Sequence, residues 1–169
     1  SLSGARVAVT GASGLVGRAL AKQLATSGAR LAPIVRKPAP GGGDEILWNP
    51  AAGTLDVARL AGADAVVHLA GENIAGRRWN EAVKRDIRDS RVKGTRLLAE
   101  SLARLDRKPR VLVSASAIGY YGHRGDALLG EDSGPGTGFL SDVCQEWEQA
   151  TEPAERAGIR VVRLRIGVV

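Results

Sequence analysis

The chain has 169 residues, 44% apolar and 25% charged, with 24 Lys and Arg against 18 Asp and Glu. That balance fits one globular domain with a real core and excludes a disordered or fibrous chain. A lone cysteine, Cys144, excludes a disulfide framework, two histidines argue against any metal site, and no apolar run approaches the ~20 residues of a membrane span. The net charge of +6 invites nucleic acid as a partner. The cations are, however, mixed with acids, as in Lys84-Arg85-Asp86-Ile87-Arg88-Asp89, and no aromatic residues interleave with them as a stacking platform. Solvated helix faces and attraction of an anionic small molecule account for the charge. The expected partners are a small-molecule substrate, with neither nucleic acid nor membrane, in a reducing, cytoplasmic compartment; a homodimer stays open.

Residues 5–10 predict a first strand that ends in Gly11, Gly14 and Gly17, spaced G-x-x-G-x-x-G, and passes into a helix over 14–27. Gly11 allows a tight turn, Gly14 lets a diphosphate approach the backbone, and Gly17 lets helix and strand pack closely. The helix N-terminus offers unpaired N–H groups and a positive dipole end to phosphate. Gly11, Ser13, Gly14, Leu15, Val16 and Gly17 are therefore the candidate dinucleotide contacts. Leu15, Ala19, Leu20 and Leu24 are expected to face the sheet.

Residues 30–36 read as a second strand, with Pro33 arguing for a bend or a missing ladder bond. Arg36 and Lys37 then occupy the place where a dinucleotide fold reads the adenosine ribose. An NAD site wants a carboxylate there, whereas a guanidinium fork beside an ammonium suits a 2′-phosphate, so NADP(H) is favoured over NAD(H). A Pro/Gly loop leads to a short strand over 45–48, a turn at 49–53 and helical turns within 55–60.

Residues 64–71 form a continuous apolar run, as a buried parallel strand should. Leu69, Ala70, Gly71 and Glu72 leave its carboxyl end toward the cofactor, while His68 reads as a satisfied core histidine. The polar loop that follows holds Arg77 and Arg78. A long helix over 79–104 shows a buried stripe of Trp79, Val83, Ile87, Ser90, Gly94 and Leu98. A strand over 110–116 carries Ser114 and Ser116, and a glycine-rich loop over 117–138 carries Tyr120 and Tyr121. A helix over 139–156, which Pro153 should kink or end, precedes a last strand over 160–169. Cys144 on that helix reads as a small core residue.

Alternating strands and helices at this spacing predict an α/β, doubly wound parallel Rossmann sheet, one NADP(H)-binding domain over 3–169. A terminal strand with no helix after it suggests truncation before a further substrate domain.

Thr10-Gly11-x-x-Gly14-x-x-Gly17, Asp64-Ala65-Val66-Val67-His68-Leu69-Ala70 and Arg163-Leu164-Arg165-Ile166-Gly167-Val168-Val169 resemble the phosphate loop, fourth strand and sixth strand of extended short-chain dehydrogenase/reductases. Leu69-Ala70-Gly71-Glu72-Asn73-Ile74, Asp89-Ser90-Arg91-Val92-Lys93-Gly94-Thr95 and Ser114-Ala115-Ser116-Ala117-Ile118-Gly119-Tyr120-Tyr121-Gly122 resemble an atypical, nucleotide-sugar-epimerase-like subgroup. The resemblance implies hydride transfer at a carbonyl or hydroxyl, cofactor contacts at the phosphate loop, Leu69–Glu72 and Ser114, and Ser116 at the catalytic serine position. It also exposes departures. The family's helix Asn falls on Arg91, its Tyr on Phe139 and its Lys on Val143, so the usual acid–base relay is missing. Tyr120 and Tyr121 are the candidate substitutes, and Arg77, Arg78 and Arg91 candidate contacts to an anionic or sugar-like substrate. A non-catalytic, NADP(H)-responsive regulatory protein is the rival implied by the missing pair.

Overall fold

The computed structural model describes residues 2–71, 74 and 78–167. In chain order the elements are β1 (Arg6–Thr10), α1 (Leu15–Thr26), β2 (Arg30–Val35), β3 (Ile46–Asn49), β4 (Thr54–Leu55), α2 (Val57–Leu60) and β5 (Ala65–His68). They continue with α3 (Glu81–Ala103), β6 (Val111–Ala117), a 3-10 turn (Ile118–Tyr121), α4 (Phe139–Gln149), α5 (Glu152–Arg156) and β7 (Arg160–Ile166). The seven strands form one sheet in the order β4-β3-β2-β1-β5-β6-β7, parallel except for the β3–β4 pair. This is the expected doubly wound α/β sheet.

Period-two alternation in the strands explains why both faces are covered. Val7 and Val9 point to the α1 side, where they pack with Leu24 and the half-buried Leu20 and Val67. Ala8, Ala32, Ile34, Val66 and Leu112 point to the other side, against Leu98, Ala99 and Leu102 of α3 and Ala154 of α5. Gly94 lets α3 approach closely, since a Cβ there would lie 3.4 Å from the Trp48 ring.

Several expectations are corrected. Leu15 is 63% exposed and Ala19 is exposed too, so the inward stripe of α1 runs through Gly17, Leu20 and Leu24. The close packing of Gly17 sets that face and rotates Leu15 outward. Trp79 lies before α3, because Asn80 caps the helix by accepting from the Val83 N–H, and the residue is 40% exposed. Leu55 joins Thr54 in an edge strand rather than starting a helix, and α2 begins only after Asp56, whose carboxylate accepts from the Arg59 N–H. β2 runs through Pro33 without a break, paired with Val9, because β3 joins only from Ile34 onward. Pro153 acts as expected: α4 stops at Gln149 and Pro153 sits in the first turn of α5.

Candidate functional site

From β1 the chain steps outward to β2 and β3, then crosses back to place β5 on the other side of β1. The switch leaves a crevice at the carboxyl ends of β1 and β5, where ligands of such sheets bind. An open cleft of about 1150 Å³ lies there, lined by Gly11, Ser13 and Gly14, by Arg36 and Lys37 after β2, and by Leu69, Ala70 and Gly71 after β5. Trp48, Asn49 and Pro50 of the β3 region and Lys93 of α3 line it as well; none of these was singled out in the sequence. Lys93 is held by Asp89 at 2.6 Å, four residues earlier on the helix.

The three glycines of the loop differ in what surrounds them. Gly11 has φ +69° and a Cβ there would lie 3.0 Å from the Leu69 carbonyl carbon, so both conformation and space require glycine. A Cβ at Gly17 would overlap the Gly11 carbonyl oxygen and sit 2.7 Å from Ala12 Cα. Gly17 is thus a packing residue beneath the loop, not a cleft residue. Gly14, the N-cap of α1, is exposed and makes no side-chain cap bond, and no acidic residue stands in the first turn. Those N–H groups and the helix dipole are presented to an anion. Leu15 and Val16 are exposed at the same helix start but do not line the cleft.

A buried polar relay fixes the other wall. Thr10 Oγ1 accepts from the N–H groups of Leu69 at 3.0 Å and Ala70 at 3.1 Å, and lies 2.7 Å from His68 Nδ1. With both lone pairs of the hydroxyl occupied, its proton goes to Nδ1, which makes Nε2 the protonated nitrogen. Nε2–H then donates to Thr95 Oγ1 of α3 at 2.8 Å. His68 has no exposed surface, stands edge-on to Trp48 at 5.8 Å, and burial lowers its pKa to about 4. It is the expected core histidine, neutral at pH 7, and it ties the cleft wall to α3.

The remaining candidates divide. Ser114 is buried in β6, in register with His68 and Arg163, and does not line the cleft. Ser116, also buried, donates to Glu148 Oε1 of α4 at 2.7 Å. Arg165 of β7 grips the same carboxylate through Nε at 2.8 Å and Nη2 at 2.9 Å, and Nη1 reaches the Tyr121 hydroxyl at 2.9 Å. The guanidinium also lies 3.5 Å from the Tyr120 ring centre. Burial opposes ionisation of Glu148, but the hydrogen bonds from Arg165 and Ser116 and the charges of Arg165 and Arg163 hold its pKa below the usual value. Bonding to Glu148 outweighs burial at Arg165 and raises its own.

Arg91 lies against Gly71, 3.4 Å from where a Cβ would stand, and stacks over Trp147 at 5.1 Å. Arg78 is exposed ahead of α3, and Glu72 and Arg77 lie outside the described residues. Phe139 packs edge-on against Trp79 at 5.6 Å, beneath Lys84 and Arg88, and Val143 is buried. Neither side chain can move a proton. Cys144 is buried, which pushes its thiol pKa up and argues against a nucleophile. Among the described residues no cluster could hold a metal ion, and no helix is long and apolar enough to cross a membrane.

Comparison with known proteins agrees with this geometry. Residues 7–166 match the family described as NAD dependent epimerase/dehydratase. The chain belongs to that family. An epimerase family protein of Mycobacterium bovis is 45% identical over 168 residues, covering 99% of this chain and 55% of the relative. The crystal structure of a nucleoside-diphosphate sugar epimerase from Corynebacterium glutamicum is similar, with 46% identity, TM-score 0.82, and coverage of 96% of this chain and 34% of that one. So is the human epimerase family protein crystallised with NADPH, with 33% identity, TM-score 0.81, and coverage of 95% and 52%. The chain spans about half the length of the curated relatives it matches. It is an epimerase-family, short-chain dehydrogenase/reductase-like chain built on a Rossmann sheet.

Proposed function

We propose that the chain is the NADP(H)-binding domain of an enzyme that moves hydride to or from a carbonyl or hydroxyl carbon, either as an oxidoreductase or within epimerisation of a sugar-like substrate. The observation that carries the cofactor choice is the presence of Arg36 and Lys37 in the same cleft as the glycine loop. A 2′-phosphate there gains charge-assisted bonds that a ribose hydroxyl would not. The human relative's NADPH supports the same choice. The α1 N-terminus would hold the diphosphate, and the Leu69–Gly71 backbone, fixed by Thr10, would form the opposite wall. Bound NADPH supplies the hydride; the chain supplies orientation, exclusion of water and a proton.

A second reading, an NADP(H)-responsive protein without turnover, is favoured by Phe139 and Val143 at the family's Tyr and Lys positions. Mixing the whole protein with NADPH and a panel of aldehydes and ketones separates the two. Oxidation of the cofactor with any member supports the enzyme, and tight binding with no oxidation across the panel supports the second reading.

A further inference from the structure

The Ser116–Glu148–Arg165–Tyr121 cluster has a hydrogen-bond direction that the residue types alone determine. An ionised carboxylate only accepts, so the Ser116 proton is committed to Glu148. A guanidinium only donates, so the Tyr121 oxygen accepts from Arg165, and its own proton has no acceptor among the described residues. Ser116 therefore presents lone pairs, and Tyr121 presents a proton. Tyr120 differs: its ring is covered face-on by the Arg165 guanidinium, and the bonds to Gly136 N–H and Ser141 Oγ fall on its backbone carbonyl rather than its hydroxyl.

The sheet order places this cluster. Arg36 follows β2, the glycine loop follows β1, Leu69–Gly71 follow β5, and Ser116 lies near the carboxyl end of β6. A dinucleotide with its adenosine over β2 and its diphosphate at β1 runs on toward β5 and β6. Those two strands lie within about 10 Å of β1 at ~4.8 Å per step. A nicotinamide carried in that direction would come toward the rim that carries Ser116 and the turn 118–121.

We infer that Tyr121 is the proton donor of this domain, with Arg165 and Glu148 as positioning residues that stand in for the missing Tyr–Lys pair. The inference rests on the cofactor reading above. In the reducing direction the carbonyl π bond breaks, a C–H bond forms with hydride from a dihydronicotinamide, and an O–H bond forms with the Tyr121 proton. The phenolate left beside the Arg165 guanidinium regains a proton from water. Oxidation runs the same steps backward. Glu148 holds Arg165 in place, so the cation reaches Tyr121 at the angle the bond requires.

In protein labelled with 13C at tyrosine Cζ, the resonances of Tyr120 and Tyr121 are assigned with Tyr120→Phe and Tyr121→Phe. Titration with NADPH is expected to shift the Tyr121 resonance, and titration with 2′-phospho-ADP-ribose, which lacks the nicotinamide, to leave it in place. With NADPH and p-nitrobenzaldehyde, Tyr121→Phe is expected to lose at least about 100-fold in turnover with NADPH affinity kept within about twofold. Tyr120→Phe should keep most of the activity. A Tyr121 resonance unmoved by bound NADPH, or turnover of Tyr121→Phe at the wild-type rate, overturns the inference alone, whereas no turnover of any aldehyde or ketone by the wild type overturns it together with the enzyme reading. Failure of NADPH to bind overturns the cofactor reading and this inference together.

Discussion

His68 offers the most quantitative prediction about stability. In the unfolded chain an imidazole takes up a proton below its ordinary pKa of 6.5, whereas in the folded chain it refuses the proton until about pH 4. Between those values the unfolded state binds more protons than the folded one, so stability falls as pH falls. The contribution is complete above about pH 7 and lost progressively down to about pH 4, where it levels off. At about 1.4 kcal/mol per pH unit the full loss is about 3 kcal/mol. With a urea dependence of about 2 kcal/mol per molar for a chain of this size, the unfolding midpoint should drop by about 1.5 M across that window. The assay is urea unfolding followed by tryptophan fluorescence at several pH values, run in parallel on His68→Gln. Glutamine can still accept from Thr10 and donate to Thr95 but does not titrate, so its decline should be shallower by that amount. His123, the other histidine, is exposed and common to both proteins. Equal slopes in the two proteins would refute both the buried neutral imidazole and the hydrogen-bond directions assigned to it.

The glycine loop separates packing from binding. Gly17→Ala should lower stability by about 2–3 kcal/mol, because its Cβ meets backbone that cannot yield, and should abolish nucleotide binding. Gly14→Ala, whose Cβ has one neighbour at 3.3 Å, should melt within a few degrees of wild type yet bind NADPH more weakly; thermal melts with and without NADPH distinguish these outcomes. Thr95→Val leaves the His68 Nε2–H without its acceptor and should cost about 1–3 kcal/mol in urea unfolding at pH 7.5. Arg36→Asp should weaken NADPH by roughly 10- to 100-fold in a fluorescence titration while weakening NADH little or improving it.

The strands of the parallel core and the glycine loop are legible in the sequence because their signals are local. Val7-Ala8-Val9 and Val66-Val67 read as buried strands, and Gly11, Gly14 and Gly17 are spaced by the geometry of one turn and one helix. The edge strand β4 escaped because two residues, Thr54 and Leu55, are too few for any period, and only pairing with Trp48 and Asn49 defines them. The direction of Leu15 escaped because helical spacing gives two rival faces on α1, and the closeness of Gly17 to Gly11 decides between them.

The Ser116–Glu148–Arg165–Tyr121 cluster was illegible for a different reason. Its members lie 32, 17 and 44 residues apart, on a strand, a helix, another strand and a turn, so no motif spacing joins them. One signal was available: Arg163 and Arg165 alternate within a strand of an apolar sheet, and charges that are partly buried need partners. The sequence could say that a carboxylate must answer them, but not that it would be Glu148.

The central claim is that Gly11, Gly14, Arg36 and Lys37 form an NADP(H) site, and its most direct test is calorimetric titration of the whole protein with NADPH and NADH side by side. One NADPH per chain, bound at least about tenfold more tightly than NADH, with the preference lost in Arg36→Asp, is the predicted result. Equal affinity for the two nucleotides, or binding of neither, would contradict it.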